Sequence, residues 1–93
     1  MTTEKTYNGW TNYATWRVNL ELISDINPQD MNWDGMPLAG LAQTIREYVE
    51  ELVIPSGTTI AESYALAFMS DVNWTEIAHH MMEDYADQWE NAA

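Results

Sequence analysis

Apolar residues recur along this chain at helical rather than strand spacing. Tyr13, Trp16, Leu20 and Ile23 lie three or four residues apart and predict a first helix over about 12–25. Val18 and Leu22 fall on nearly the opposite side of that helix. Apolar residues on two faces predict a central helix packed on both sides, or a second face left for a partner. The segment ahead of it opens with Asn8-Gly9, a turn dipeptide, and Thr11 or Asn12 is placed to cap the helix. Residues 1–7 read as a short mobile lead-in.

Residues 25–37 break the pattern. Asn27-Pro28 and Asp34-Gly35 are turn signals, and a residue preceding proline avoids the helical region. Trp33 lies in this loop and is expected to fold back as a plug in the core. A second helix is predicted over about 38–53, with Leu38, Leu41, Ile45, Val49 and Leu52 on one face. Glu47, Glu50 and Glu51 point away from that face. Pro55-Ser56-Gly57 stops the helix.

Thr59 with Glu62 forms a capping-box pattern for a third helix over about 60–70. Ile60, Tyr64, Ala67 and Phe68 face one way, and Leu66 and Met69 another, so this helix is expected to be largely buried. Asn73-Trp74-Thr75-Glu76 is a second cap with an acidic third position, opening a fourth helix to about residue 90. The fold class is therefore all-α: a compact single-domain bundle of about four helices. A minor extended segment is conceivable at 52–54 or 58–60.

Composition changes the picture through charge. The 93 residues carry a formal charge of -12, with Lys5, Arg17 and Arg46 as the only Lys and Arg. From Glu47 onward there are ten acidic residues and no Lys or Arg. Such a field repels nucleic acid and anionic membranes and attracts basic protein surfaces. High aromatic content, with five Trp and five Tyr, argues against disorder. There is no Cys, no apolar leader and no stretch long enough to span a membrane, which predicts a soluble protein of a reducing cytoplasm.

The acidic residues are not scattered evenly. At about 100° per residue, Glu76, Glu83, Asp87 and Glu90 share a sector of roughly 60° on the fourth helix, running for ~21 Å. One DNA strand presents a phosphate every ~3.4 Å, so this row alone is sparser than DNA. Glu47, Glu50 and Glu51 would bring the density closer if the second and fourth helices lie side by side. A solvated helix face usually interleaves Lys with Glu; this one does not. Uncompensated like charges cost stability, which suggests a use. His80 and Met82 border the row and would stand at the rim of a partner site.

Other chemistry is sparse. His79-His80 with Glu83 and Asp84 offers two His–acid pairs, but adjacent His residues diverge on a helix and the His-Glu-x-x-His zinc pattern is absent. No nucleophile elbow, phosphate loop or calcium loop is present. The expectation is a non-enzymatic protein with no cofactor and no metal. Asn73-Trp74-Thr75 matches a glycosylation sequon, discounted without a secretory signal.

Two stretches carry a resemblance. Asn8-Gly9-Trp10-Thr11-Asn12-Tyr13-Ala14-Thr15-Trp16, followed by Val18-Asn19-Leu20, resembles the N-terminal signature N-G-W-[ST]-N-Y-x-T-W of small proteins found in bacteriophages, plasmids and bacterial genomes. Val72-Asn73-Trp74-Thr75-Glu76-Ile77-Ala78 is similar to a segment those proteins often carry near the C-terminus. The chain departs from the pattern at Ala14, where Glu is frequent, and in its scarcity of basic residues. The resemblance implies a small accessory protein of a mobile genetic element, and supplies no activity, cofactor or catalytic residue.

Acidity and this context together predict an inhibitor of a host defence nuclease complex, a CRISPR effector or restriction enzyme. It would bind a basic surface stoichiometrically by mimicking nucleic acid, as a monomer or homodimer in the bacterial cytoplasm. The alternative is a structural or regulatory accessory protein, dimerising through Val18 and Leu22 or the Met81-Met82 patch, whose acidity serves solubility.

Overall fold

The computed structural model describes residues 7–91. The lead-in expected over 1–7 lies outside the described residues except for Tyr7, which is held in place. Asn8 and Gly9 both take left-handed backbone, with φ of 50° and 87°. Consecutive left-handed residues make the tight turn that Asn-Gly favours. Tyr7 and Trp10 exchange two backbone hydrogen bonds of 2.8 Å across it.

The first helix is shorter and less regular than its periodicity predicts. Tyr13–Val18 is α-helical (α1), and Asn19–Ile23 continues it as a π turn. Ser24 N donates to Asn19 O at 2.8 Å, five residues back. The wider turn makes Ile23 lag behind its α-helical position and swings it toward Val18. Ala14, Thr15, Val18 and Ile23 are consequently buried, whereas Tyr13 and Leu20 are exposed. The stripe Tyr13–Trp16–Leu20–Ile23 is thus not the core face. Apolar spacing alone could not choose between the two faces; the capping contacts described below turn Thr15 inward.

Pro28–Met31 forms a 3-10 turn capped by Asn27, whose Oδ1 accepts from Gln29 N. Trp33 is buried and meets Tyr48 edge-on at 5.5 Å between centroids. It plugs the core from the loop. Leu38–Val53 forms α2, the longest helix, and buries Leu41, Ala42, Ile45 and Val49. Leu52, on the same stripe, is exposed.

Ile60–Met69 forms α3 behind the predicted capping box. Trp74–Asp84 forms α4, and Ala86–Glu90 forms a separate short α5 after a break at Tyr85 (φ -120°, ψ 39°). The fold is all-α. Among the described residues no strand forms at 52–54 or 58–60; the β-type pairing present is the bridge between Tyr7 and Trp10.

The principal packing is α2 on α4. Leu41, Ile45 and Val49 join Ile77, Ala78 and Met81 in one buried cluster. Each large aliphatic side chain buried there contributes about 1.5–3 kcal/mol. α1 touches both α3 and α4, which makes it the joint between the α2–α4 pair and α3.

The position of α3 corrects the expectation that it is largely buried. Ile60 and Tyr64 are each 75% exposed, and Leu66 and Phe68 are exposed as well. Its inward residues are Glu62 and Met69. The reason is the capping loop. One Glu62 oxygen accepts from Ser56 Oγ (2.6 Å), Thr58 N (3.1 Å) and Thr59 N (3.0 Å), and the other accepts from Ser56 N (2.9 Å). Satisfying that carboxylate turns it under the 55–59 loop and rolls the Ile60–Tyr64–Phe68 face outward.

Candidate partner-binding surface

The two stretches that carry the family resemblance meet in space. Asn12 caps α1, its Oδ1 accepting from Thr15 N (2.9 Å) and Thr15 Oγ1 (2.7 Å). Its Nδ2 donates to Asp71 O at 2.8 Å. Thr15 Oγ1 in turn accepts from Asn73 N at 2.9 Å. Asn73 caps α4 through Glu76 N, and Glu76 Oε1 reaches back to accept from Thr11 N at 3.0 Å. The N-terminal cap and the α4 cap therefore form one polar latch.

This latch redefines Glu76. Expected in the acidic row, it is half-buried and holds the latch closed. His80 is likewise half-buried, its ring stacked on Trp10 at 4.1 Å and 28°. Beside that stack lies a small cavity of about 70 Å³ lined by Asn19, Ser24 and Asp84 among others. Met82 is half-buried against the core. Neither His80 nor Met82 stands free at a rim.

The remaining residues of the row lie around the helix break. Glu83, Asp87 and Glu90 are exposed, as is Asp84, which borders the row. The break at Tyr85 opens a shallow hollow of about 320 Å³ between Glu83, Asp84 and Asp87. Its far side is anchored. Gln88 Nε2 donates to Asn27 Oδ1 (2.8 Å), Gln29 N donates to Gln88 Oε1 (3.1 Å), and Trp89 Nε1 donates to Met36 O (2.8 Å). These bonds tie α5 to the 27–36 loop and set its angle to α4. No glycine or proline marks the break, so periodicity ran straight through it.

Glu47, Glu50 and Glu51 line a different open hollow, with Ile54. α2 and α4 are neighbours, as the row-merging idea requires. Glu47, Glu50 and Glu51 on α2 and Glu83 on α4, however, each lie on the side of their own helix opposite the shared buried stripe, so they point apart. They form two acidic patches, not one.

Among the described residues, both arginines are paired with a carboxylate. Arg17 meets Glu21 at 2.8 Å and Arg46 meets Glu50 at 3.0 Å, both one helical turn apart. Hydrogen bonding to Glu21, aided by the Tyr13 hydroxyl at 2.6 Å, pushes the Arg17 pKa above its ordinary value. His79 stands 3.7 Å from Glu83. The hydrogen bonds from Ser56, followed by that from the Thr59 backbone, hold the Glu62 carboxyl far below the ordinary carboxylate range.

Tyr7, Tyr13 and Trp16 cluster at centroid distances of 4.8–5.6 Å, and Phe68 meets Tyr13 edge-on at 6.2 Å. Much of this aromatic group is at the surface rather than in the core. The outward face of α3 is the feature that sequence reasoning missed; the capping box was its only signal, through the number of donors Glu62 draws inward.

Among the described residues, no group of three or more His, Asp or Glu is arranged to hold a metal ion, and no helix is long and apolar enough to cross a membrane. The chain matches no family model, no curated protein and no solved structure.

Proposed function

We propose that this protein is a non-enzymatic inhibitor that binds the basic nucleic-acid surface of a bacterial defence nuclease complex, a CRISPR effector or restriction enzyme. The observation that carries the reading is the hollow at the α4–α5 break. Glu83, Asp84 and Asp87 line it, Glu90 is exposed at the end of the same short α5 as Asp87, and among the described residues only His79 stands within ion-pair distance of any of them. A Lys or Arg side chain entering the hollow meets several carboxylates at once, as it does between the phosphates of a nucleic acid. Anchoring of α5 by Trp89 and Gln88 keeps these carboxylates in place before binding, which lowers the ordering cost. Glu47 and Glu51 supply a second patch on the other side; Glu50 is paired with Arg46, and Glu76 serves the latch. The resemblance to small mobile-element proteins supports the same setting.

The test combines charge reversal with salt. Captured on the tagged protein from bacterial lysate, a nucleic-acid-binding complex should be retained at low salt and released at high salt, because the attraction is long-range. The combined Glu83→Lys, Asp87→Lys and Glu90→Lys variant should lose capture and inhibition of that complex. Glu76→Gln should weaken the fold more than the binding. If the triple reversal leaves both capture and inhibition unchanged, the assignment is wrong.

One observation favours a second reading, a structural accessory protein whose acidity serves solubility. The outward apolar face of α3 is unneeded for an inhibitor that works by charge alone. Val18 is itself buried and reaches the surface only as a wall of the groove beside Phe68, with Leu22.

A further inference from the structure

We infer that the outer face of α3 is a self-association surface, packing against the same face of a second copy of this chain. This inference stands independently of the acidic-patch proposal. Ile60 and Tyr64, both 75% exposed, follow one another at helical spacing and lead to the exposed Phe68. Phe68 also forms one wall of an adjoining groove of about 210 Å³, lined by Val18, Leu22, Val53 and Ala65. A projecting apolar edge and an apolar groove thus sit side by side on one surface. That is the arrangement a two-fold interface uses, since each copy offers its edge to the other's groove.

Charge identifies the occupant. With -12 on each copy, two chains repel wherever their carboxylates face one another. The only charged residue of α3 is Glu62, which is turned inward and surrounded by donors from Ser56, Thr58 and Thr59. The charged residues at the groove, Arg17 and Glu21, neutralise each other at 2.8 Å. α3 turns no carboxylate outward, unlike α2, α4 and α5. A basic partner is drawn to the acidic patches elsewhere; a second acidic copy finds its least repulsive contact here. In a two-fold arrangement residues near the axis meet their own equivalents, so a helix face without an outward charge suits that position.

The salt dependence has a definite sign. Screening removes the repulsion between copies, so self-association strengthens as salt is added, opposite to the capture of a basic partner. Sedimentation equilibrium of the full chain across a protein dilution series, at low and high salt, reads this directly. Dimer is expected, tighter at high salt. Tyr64→Glu should weaken it on the order of 30-fold, as loss of a central aromatic does, and Ile60→Glu should weaken it too. Circular dichroism should be unchanged, because both side chains project into solvent. As a second measurement, Ser63→Cys should form an oxidised dimer readily, while Glu51→Cys on the acidic side of α2 should not; the chain has no Cys of its own. Monomer at every salt and concentration, a dimer insensitive to both α3 substitutions, or equal cross-linking at both Cys positions would each overturn the inference.

Discussion

Thr15 and Asn73 are 58 residues apart, and the Thr15 hydroxyl accepts the Asn73 backbone N–H at 2.9 Å. Thr15 is fully buried, at 0% exposure, and the same hydroxyl donates to Asn12 Oδ1 at 2.7 Å. One side chain therefore ties the start of α1 to the start of α4. Replacing it with the isosteric Val leaves the part-buried Asn73 N–H without its partner, which costs about 1 kcal/mol. Thr15→Val should lower the urea midpoint accordingly, and Thr15→Ser, which keeps both bonds, should cost less. A larger loss for Thr15→Ser than for Thr15→Val would show that the methyl group, not the hydroxyl, secures the joint.

Glu62 gives the fold a predictable acid response. Its folded-state pKa is held below the ordinary 4.5 by donors from Ser56 and Thr59. A carboxylate lowered in this way contributes its full stabilisation above 4.5, and the contribution is lost as pH falls toward the depressed folded value. Glu62→Gln should therefore be less stable than the wild type near neutral pH, and the gap should shrink from about pH 6 to about pH 2. Comparing the two proteins cancels the opposing effect of neutralising the surface carboxylates, which both share. A gap that stays constant across that range would remove Glu62 as its source.

Trp89 sets the angle of α5 through its indole bond to Met36 O at 2.8 Å. Trp89→Phe keeps an aromatic ring but deletes the donor, at a cost of about 1 kcal/mol. Local consequences should exceed the global one. Amide exchange should quicken at residues 86–91 while the α2–α4 core keeps its protection. Uniform quickening throughout the chain would instead place α5 in the global folding unit.

Much of this molecule is legible in its residues because the governing interactions are local. Asn8-Gly9 dictates its turn through backbone sterics, and Thr59 with Glu62 closes its capping box within one helical turn. The bounds of α2 follow from an apolar stripe flanked by Pro37 and Pro55. Trp33 is legible as a plug because a large apolar ring in a polar loop has little alternative. The exposure of Glu83, Asp87 and Glu90 is legible too, although the one helix expected to carry them is interrupted at Tyr85.

What stayed hidden depends on partners distant in sequence. Helical spacing offers two candidate faces on the first helix, and the bond from Asn73 N to Thr15, with the π turn that follows, decides for the Val18 side. The same spacing cannot tell Glu76, tied to Thr11, from Glu83, open to solvent. It cannot foresee that bonds from Gln88 and Trp89 to the 27–36 loop end α4 at Tyr85.

The sequence by itself determined the helical class, the principal turns and caps and the acidic excess, since each follows from neighbours within a turn or two of the chain. Tertiary structure decided which apolar stripe faces inward, which carboxylates remain available and that α3 shows its apolar side to solvent. The physical reason is that burial and hydrogen-bond satisfaction are collective. A helix can be rolled about its axis at no local cost, and only the donors and cavities supplied by the rest of the fold select one orientation.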